Sequence, residues 1–148
     1  GSVSVLSSRG CPAGCRFCPY AAAQGHAFRS TSVDRLLAEW EWLKQTVRPP
    51  AVVFRDPVFA HDRDRVLAFA EEVAARDMRL PFGCESRPEH FDRRLLKALK
   101  AAGCTTVKIG LETGDPQLLA AVGRISSAAE APAYLETVTA VAKLGMSG

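Results

Sequence analysis

Short apolar segments alternate with longer amphipathic segments along this 148-residue chain, and the alternation sets its class of fold. The apolar segments predict four strands: Val3–Ser8, Ala51–Phe54, Leu80–Cys84 and Thr105–Leu111. The amphipathic segments predict five helices: Thr31–Lys44, Asp62–Arg76, one capped by Asp92 and stopped by Gly103, Asp115–Val122, and one that starts between Ser127 and Pro132 and ends at Leu144, before Gly145. Four consecutive strand-then-helix units predict an α/β fold with a parallel sheet.

The first predicted helix contains both tryptophans of the chain. Thr31 and Asp34 have the spacing of a capping box, and Trp40 belongs to an apolar stripe that faces the core. Because neighbouring positions on a helix differ by about 100° in direction, Trp42 cannot face the core as well. We expect Trp42 to be exposed and to contact a partner domain.

The composition is that of a soluble globular domain, with 47% apolar and 24% charged residues. The 19 basic residues are interspersed with 16 acidic ones, and this mixture predicts no nucleic-acid partner. No apolar run approaches the roughly 18 residues that span a bilayer, and the N-terminus lacks the features of a secretory signal. We therefore expect a cytoplasmic protein with no membrane partner.

A polar segment follows each predicted strand directly. These segments are Arg9–Cys18, Arg55–Asp56, Glu85–Arg87 and Glu112–Thr113. In parallel α/β sheets and barrels, ligands bind at the carboxyl ends of the strands, so the four segments should converge in space. The sequence therefore predicts one site built from four loops.

Three of the five cysteines, Cys11, Cys15 and Cys18, fall within eight residues. Three thiolates on one short loop can hold three corners of an iron–sulfur cube, with the fourth iron left open to a ligand. A zinc site with His26 as fourth ligand, in a structural or binding domain without catalysis, is the alternative. Three cysteines without a metal are a third reading. Cys84 and Cys104 are isolated, and we expect them to be buried as small apolar residues.

The cysteine segment, with Phe17 directly before its last cysteine, resembles the cluster-binding motif of the radical S-adenosylmethionine (radical SAM) superfamily. Three further segments are similar to the branch whose members often carry an N-terminal cobalamin-binding domain: Ser8–Pro12, Cys84–Arg87 and Gly110–Gly114. The resemblance runs from Val3 to Gly145, in order, and is thus more specific than the cysteines alone.

The resemblance implies a partial TIM-type (β/α)6 barrel with a 4Fe-4S cluster on Cys11, Cys15 and Cys18. S-adenosylmethionine would bind the open iron, and one electron from an external donor would cleave it to a 5'-deoxyadenosyl radical. That radical would act on a small-molecule or peptide substrate in an oxygen-sensitive enzyme. In the cobalamin-associated branch the outcome is often methyl transfer or a ring rearrangement.

The resemblance also implies roles for residues after the strands, although it assigns no catalytic residue. Phe17 takes the position beside the cofactor's adenine, with ordinary loop packing as the alternative. Asp56 stands where many members have a Gly-Gly-Glu-like segment that binds the cofactor's amino group. The glycines are missing here, and Asp56 could equally cap the turn before the next helix.

Glu85, Ser86 and Arg87 together suit a zwitterionic, ribose-bearing ligand, with Arg87 as the partner of its carboxylate. An ion pair between Glu85 and Arg87 without a ligand role is the alternative. By the resemblance, Glu112 would hold the ribose or amino group of the cofactor. Lys108 should lie deeper in the barrel, paired with Glu112 or Glu85.

Four units of an expected six are present, so residues 1–148 are predicted to be the N-terminal portion of a radical SAM core domain. The chain would end near Leu144–Met146, where a fifth strand should begin, and a cobalamin-binding domain would lie outside it. The fourth strand would then be an open edge, which predicts self-association. Such a portion should bind cluster and cofactor without completing turnover.

Overall fold

The strands and helices alternate as predicted in the computed structural model, which describes residues 1–144 and Met146. In chain order the elements are β1 (Val3–Val5), β2 (Ser8–Arg9), α1 (Tyr20–Gln24), β3 (Arg29–Ser30), α2 (Val33–Trp42), β4 (Val52–Phe54), α3 (Arg63–Ala75), β5 (Phe82–Ser86), α4 (Arg93–Ala102), β6 (Cys104–Ile109), α5 (Pro116–Ala121) and α6 (Ala131–Lys143). The strands β1, β4, β5 and β6 form one parallel sheet in that order, which confirms the α/β class. None of the helices in the described part of the chain is long and apolar enough to cross a membrane.

The sheet buries one face against α2, α3 and α4. Trp40 of α2 is 1% exposed, stacks on Phe54 at 5.8 Å between ring centroids, and donates from Nε1 to the carbonyl of Met78 at 2.8 Å. Trp42 is 57% exposed, as predicted from the helical periodicity. The core therefore lies on the helix side of the sheet, and the opposite face borders a cavity of about 260 Å³.

The start of α2 differs from the prediction by one residue. Ser32, not Thr31, is the N-cap, and its side chain accepts from the backbone N–H of Arg35. Thr31 precedes the cap by one residue, and its backbone N–H donates to the carbonyl of Ser7 at 2.9 Å. The capping box of Thr31 and Asp34 is thus wrong, although the helix itself is confirmed.

The remaining helix caps follow the sequence closely. Asp62 caps α3, Asp92 caps α4, and Asp115 caps α5 with Pro116 in the first helical position. In each case the aspartate side chain accepts backbone N–H groups of the first turn, which otherwise have no partner within the helix. The short polar side chain before an apolar stripe therefore identifies these helix starts.

Several strand ends are displaced from their predicted positions, and the first strand ends at Val5 instead of Ser8. β5 begins at Phe82, because Pro81 has no N–H to donate to a neighbouring strand and only its carbonyl accepts, from the N–H of Val52. The strand continues to Ser86. β6 stops at Ile109, because the N–H groups of Leu111 and Thr113 turn back to carbonyls two residues earlier. Within the described residues, β6 is the last strand in the sheet order and pairs with β5. Gly145, the predicted helix stop, lies outside the described residues.

Candidate functional site

The cysteine loop connects β1 to α2 and is closed at its base by a small antiparallel pair. β2 pairs with β3 through Ser8 opposite Ser30 and Arg9 opposite Arg29, and neither strand was predicted separately. Gly10 then turns the chain with a φ of 81°, and a Cβ there would collide with the carbonyl of Ala27. Only glycine fits this crossing, which brings Cys11 into the loop with its N–H donating to the carbonyl of Gly25.

The three cysteines of the loop carry free thiols. Cys11 is buried, whereas Cys15 and Cys18 are partly exposed, and the N–H of Cys18 donates to the carbonyl of Cys15 at 3.2 Å. Among the described residues, no three His, Cys, Asp or Glu side chains are arranged to hold a metal ion. The thiols therefore share one loop without forming a finished ligand set, and His26, the zinc alternative's fourth ligand, is exposed.

Asp56, at the end of β4, points toward the base of this loop. Its carboxylate accepts from the backbone N–H groups of Ser7 at 2.6 Å and Ser8 at 3.1 Å, and from the hydroxyl of Ser7. Burial raises the pKa of Asp56, although the hydrogen bonds from Ser7 and Ser8 and the charge of Arg65 act in the opposite direction. Asp62, and not Asp56, caps the next helix. The Asp56 carboxylate instead links the end of β4 to the cysteine loop.

Arg65 of α3 completes this arrangement from the helix side. It is 7% exposed and donates to the hydroxyl of Ser7 at 3.2 Å and to the carbonyl of Thr31 at 3.3 Å. Burial lowers the pKa of Arg65, while the charges of Asp56 and Asp62 raise it. One buried guanidinium thus holds both the entry and the exit of the cysteine loop.

Glu85, Ser86 and Arg87 do not face the same side, because successive side chains of a strand point to opposite faces. Ser86 lies on the buried side, where its hydroxyl accepts from the N–H of Ala60 at 3.2 Å and contacts Nδ1 of His90 at 2.9 Å. Glu85 lies exposed on the other face, opposite Lys108 in the register of β5 and β6. Lys108 is exposed as well, so the deep, paired position expected for it is wrong.

Arg87 reaches the cysteine loop. Its Nη1 donates to Sγ of Cys15 at 3.0 Å, and its Nη2 donates to the carbonyl of Arg124. The carboxylate that pairs with Arg87 belongs to Glu89, so the alternative of an ion pair with Glu85 is wrong. Arg87 therefore links the end of β5 to a cysteine.

Arg124, which was not predicted, occupies the centre of the site. Its side chain is 10% exposed, pairs with Glu112, approaches Sγ of Cys15 at 3.7 Å, and lies 5.3 Å from the ring centroid of Phe17. Burial lowers the pKa of Arg124, but the hydrogen bond that it donates to Glu112 and nearby negative charge outweigh burial, and the net shift of the pKa is upward. The sequence does contain a signal for Arg124, because it is a lone arginine between apolar residues after α5. A guanidinium in such a position is expected to pair with a carboxylate.

The segment that carries Arg124 also supports the backbone of the loop. The N–H of Arg16 donates to the carbonyl of Val122 at 3.1 Å. Gly123 has a φ of 74°, and a Cβ there would lie 2.9 Å from the carbonyl oxygen of Gly14. The turn between α5 and α6 therefore supports the cysteine loop through backbone contacts.

All four polar segments thus meet at the cysteine loop, as predicted from the strand ends. They do not line a single cavity, however. A cavity of about 260 Å³ on the open face of the sheet includes Asp56, Glu85 and Lys108, whereas one of about 730 Å³ beside Gly14 includes Arg87, Arg124 and Tyr134. The loop lies between a sheet-side and a helix-side space.

Comparison with known proteins connects this geometry to a family. A family model described as the radical SAM superfamily matches residues 5–148. An uncharacterized methyltransferase of Pyrococcus horikoshii is 29% identical over 120 residues, which cover 81% of this chain and 26% of the relative. A tryptophan 2-C-methyltransferase of Streptomyces laurentii is 27% identical over 134 residues, with 80% and 21% covered.

Solved structures share the fold. The radical S-adenosylmethionine methyltransferase TsrM from Kitasatospora setae, with tryptophan and an S-adenosylmethionine analogue bound, aligns with a TM-score of 0.85 at 21% identity and covers 99% of this chain and 29% of its own. The cobalamin-dependent S-adenosylmethionine radical enzyme OxsB, with aqua-cobalamin and S-adenosylmethionine bound, aligns with a TM-score of 0.78 at 21% identity. This alignment covers 99% of this chain and 23% of OxsB. The chain therefore spans about a quarter of the length of these proteins.

Proposed function

The chain belongs to the radical SAM superfamily, and from that membership we propose that it forms part of a core domain that holds a 4Fe-4S cluster and S-adenosylmethionine. The whole protein would be an enzyme in which further residues complete the barrel and the substrate pocket. The observation that supports the proposal most directly is the meeting of loops from three strand ends at Cys15: the cysteine loop itself, Arg87 after β5, and Glu112 through Arg124 after β6.

The residues of the loop fit a cluster by their chemistry. Cys11, Cys15 and Cys18 are free thiols on one segment, and thiolates are the ligands that iron–sulfur clusters take. Guanidinium N–H groups of Arg87 and Arg124 point at the sulfur of Cys15. When bound, such a cluster supplies the electron that cleaves the sulfonium of S-adenosylmethionine.

The other residues would bind and orient S-adenosylmethionine. Glu85 is exposed on the open face of the sheet, where a carboxylate can accept hydrogen bonds from an ammonium or a ribose hydroxyl. Glu112 can do the same beside Arg124. Phe17 is 49% exposed and offers a ring to the adenine. Asp56 acts indirectly, because its hydrogen bonds to Ser7 and Ser8 hold the base of the loop.

For the whole protein we infer a cobalamin-dependent methyl transfer. Both curated relatives are named as methyltransferases, and the solved structures include a methyltransferase and a cobalamin-dependent enzyme. Cobalamin would be bound by a part of the protein outside residues 1–148, and an external donor would supply the electron. Other parts of the whole protein would contribute to the choice of substrate.

Anaerobic reconstitution with iron and sulfide tests the first proposal. The visible spectrum, the iron and sulfide content, and calorimetric binding of S-adenosylmethionine would be measured for the wild type and two variants. We expect four iron atoms per chain in the wild type, loss of the cluster in Cys15→Ala, and retention in Cys84→Ala. Cys84 is the matched control because it is buried in the core on the helix side of β5.

Two results would contradict the proposal. One is a colourless wild-type protein that holds a single zinc ion and does not bind S-adenosylmethionine. The other is equal loss of the cluster in both variants when circular dichroism shows both to be folded.

A further inference from the structure

The sulfur of Cys15 is approached by two largely buried arginines from different parts of the fold. Arg87, at the end of β5, donates from Nη1 at 3.0 Å, and Arg124, after α5, approaches through its own Nη1 at 3.7 Å. Their side chains are 11% and 10% exposed, respectively. Among the described residues, Cys15 is the cysteine of the loop to which side-chain N–H groups are directed, so the three thiols are not equivalent.

Both guanidinium groups are held in place by other contacts. Arg87 pairs with Glu89 and donates to the carbonyl of Arg124, and Arg124 pairs with Glu112. Each guanidinium carries a positive charge near the sulfur. Their burial reduces screening by water and therefore strengthens their effect on the sulfur.

We propose that Arg124, together with Arg87, sets the reduction potential of the cluster that Cys15 would bind. The inference rests on the proposed function. Reduction adds negative charge to a cluster, and hydrogen bonds to its ligand sulfur and nearby positive charge stabilise that state. The two arginines therefore raise the potential, and they act through Cys15 as positioning residues.

Glu112 gives the proposal a test of sign. Its carboxylate pairs with Nη2 of Arg124, whose Nη1 faces the same sulfur, and so offsets part of the positive charge there. If charge at Cys15 controls the potential, removing the positive member of the pair lowers it, and removing the negative member raises it. A purely structural role predicts the same direction for both substitutions, because either one breaks the same ion pair.

The experiment is an anaerobic redox titration of the reconstituted chain, followed by the electron paramagnetic resonance signal of the reduced cluster. The proteins are the wild type, Arg124→Gln, Glu112→Gln, and Arg94→Gln as control, since Arg94 forms an exposed pair with Glu71 away from the loop. We expect Arg124→Gln to lower the ratio of reduced to oxidised cluster about tenfold at a given applied potential, which corresponds to about 59 mV for one electron. Glu112→Gln should raise the ratio, and the control should match the wild type.

The possible outcomes distinguish a failure of this inference from a failure of the proposed function. A wild-type chain that assembles no cluster overturns the proposed function. A cluster whose potential is unchanged in Arg124→Gln, or is shifted in the same direction in Arg124→Gln and Glu112→Gln, overturns the role of Arg124. If Arg124→Gln fails to retain a cluster, Arg124→Lys keeps the charge at that position. The reduction potential of the cluster in Arg124→Lys should then lie close to that of the wild type, and the potential in Glu112→Gln should be higher. Any other result contradicts the proposal.

Discussion

The carboxylate of Asp56 and the backbone N–H of Ser7 lie 2.6 Å apart, and this contact joins the end of β4 to the base of the cysteine loop. The hydroxyl of Ser7 bonds to the same carboxylate and accepts from Arg65. A carboxylate, a hydroxyl and a guanidinium, all buried, thus form a chain from the sheet to α3. The loop that carries the cysteines is therefore anchored in the core of the fold.

Asp56→Ala should lower the free energy of unfolding by about 3 kcal/mol, because it leaves the N–H groups of Ser7 and Ser8 without their acceptor and removes the negative charge near the buried Arg65. Urea unfolding of the reduced apoprotein measures the change. Asp64→Ala is the control, since that side chain is 94% exposed, and it should cost no more than about 0.5 kcal/mol. Equal effects of the two substitutions would contradict the anchoring role.

The position of Asp56 and that of Arg124 show what the sequence could and could not predict. The strand ends and the caps are local features, so Asp56, Glu85 and Arg87 could all be placed at one edge of the sheet in advance. The direction of each side chain depends on pairing across strands, which turns Ser86 toward His90 and leaves Glu85 open. Arg124 follows a helix instead of a strand, and its contact with Cys15 spans 109 residues, beyond any local pattern.

Gly123→Ala should release the cysteine loop from the turn that supports it. The substitution forces an alanine into a φ of 74° and places its Cβ 2.9 Å from the carbonyl oxygen of Gly14, at a cost of about 1 to 3 kcal/mol. Limited trypsin digestion at the exposed Arg16, whose N–H donates to Val122, should become faster. Gly14→Ala is the matched control on the other side of the contact, because nothing lies within 4 Å of its Cβ position, and it should leave digestion unchanged.

Trp40→Ala and Trp42→Ala should differ strongly although the residues are two positions apart. The first removes a ring that is 1% exposed and packs against Phe54, Phe69 and Phe82, with an expected loss of about 3 to 5 kcal/mol. The second removes a ring that is 57% exposed and should change the unfolding free energy by less than about 0.5 kcal/mol. Because the chain has two tryptophans, the fluorescence of Trp42→Ala should report Trp40 alone, with emission typical of a buried ring.

The stability of the apoprotein should fall on acidification between about pH 6.5 and pH 4, and His90 is the cause. Burial lowers the pKa of His90 from an ordinary 6.5 to about 4, and the charges of His61 and Arg87 act in the same direction while Glu89 opposes them. In this window the unfolded chain binds a proton that the folded protein does not, so the free energy of unfolding rises with pH.

Substitution of His90 isolates this contribution from the other titrating groups. His90→Gln keeps a polar partner for the hydroxyl of Ser86 and removes the titrating ring. Burial raises the pKa of Asp56, and its effect on stability has the opposite sign, so the comparison must be a difference between the two proteins at each pH. After allowance for solvent screening of a partly exposed ring, wild type should lose on the order of 1 to 2 kcal/mol more than His90→Gln between pH 7 and pH 4.5. Parallel losses in urea unfolding would show that His90 titrates normally in the folded protein.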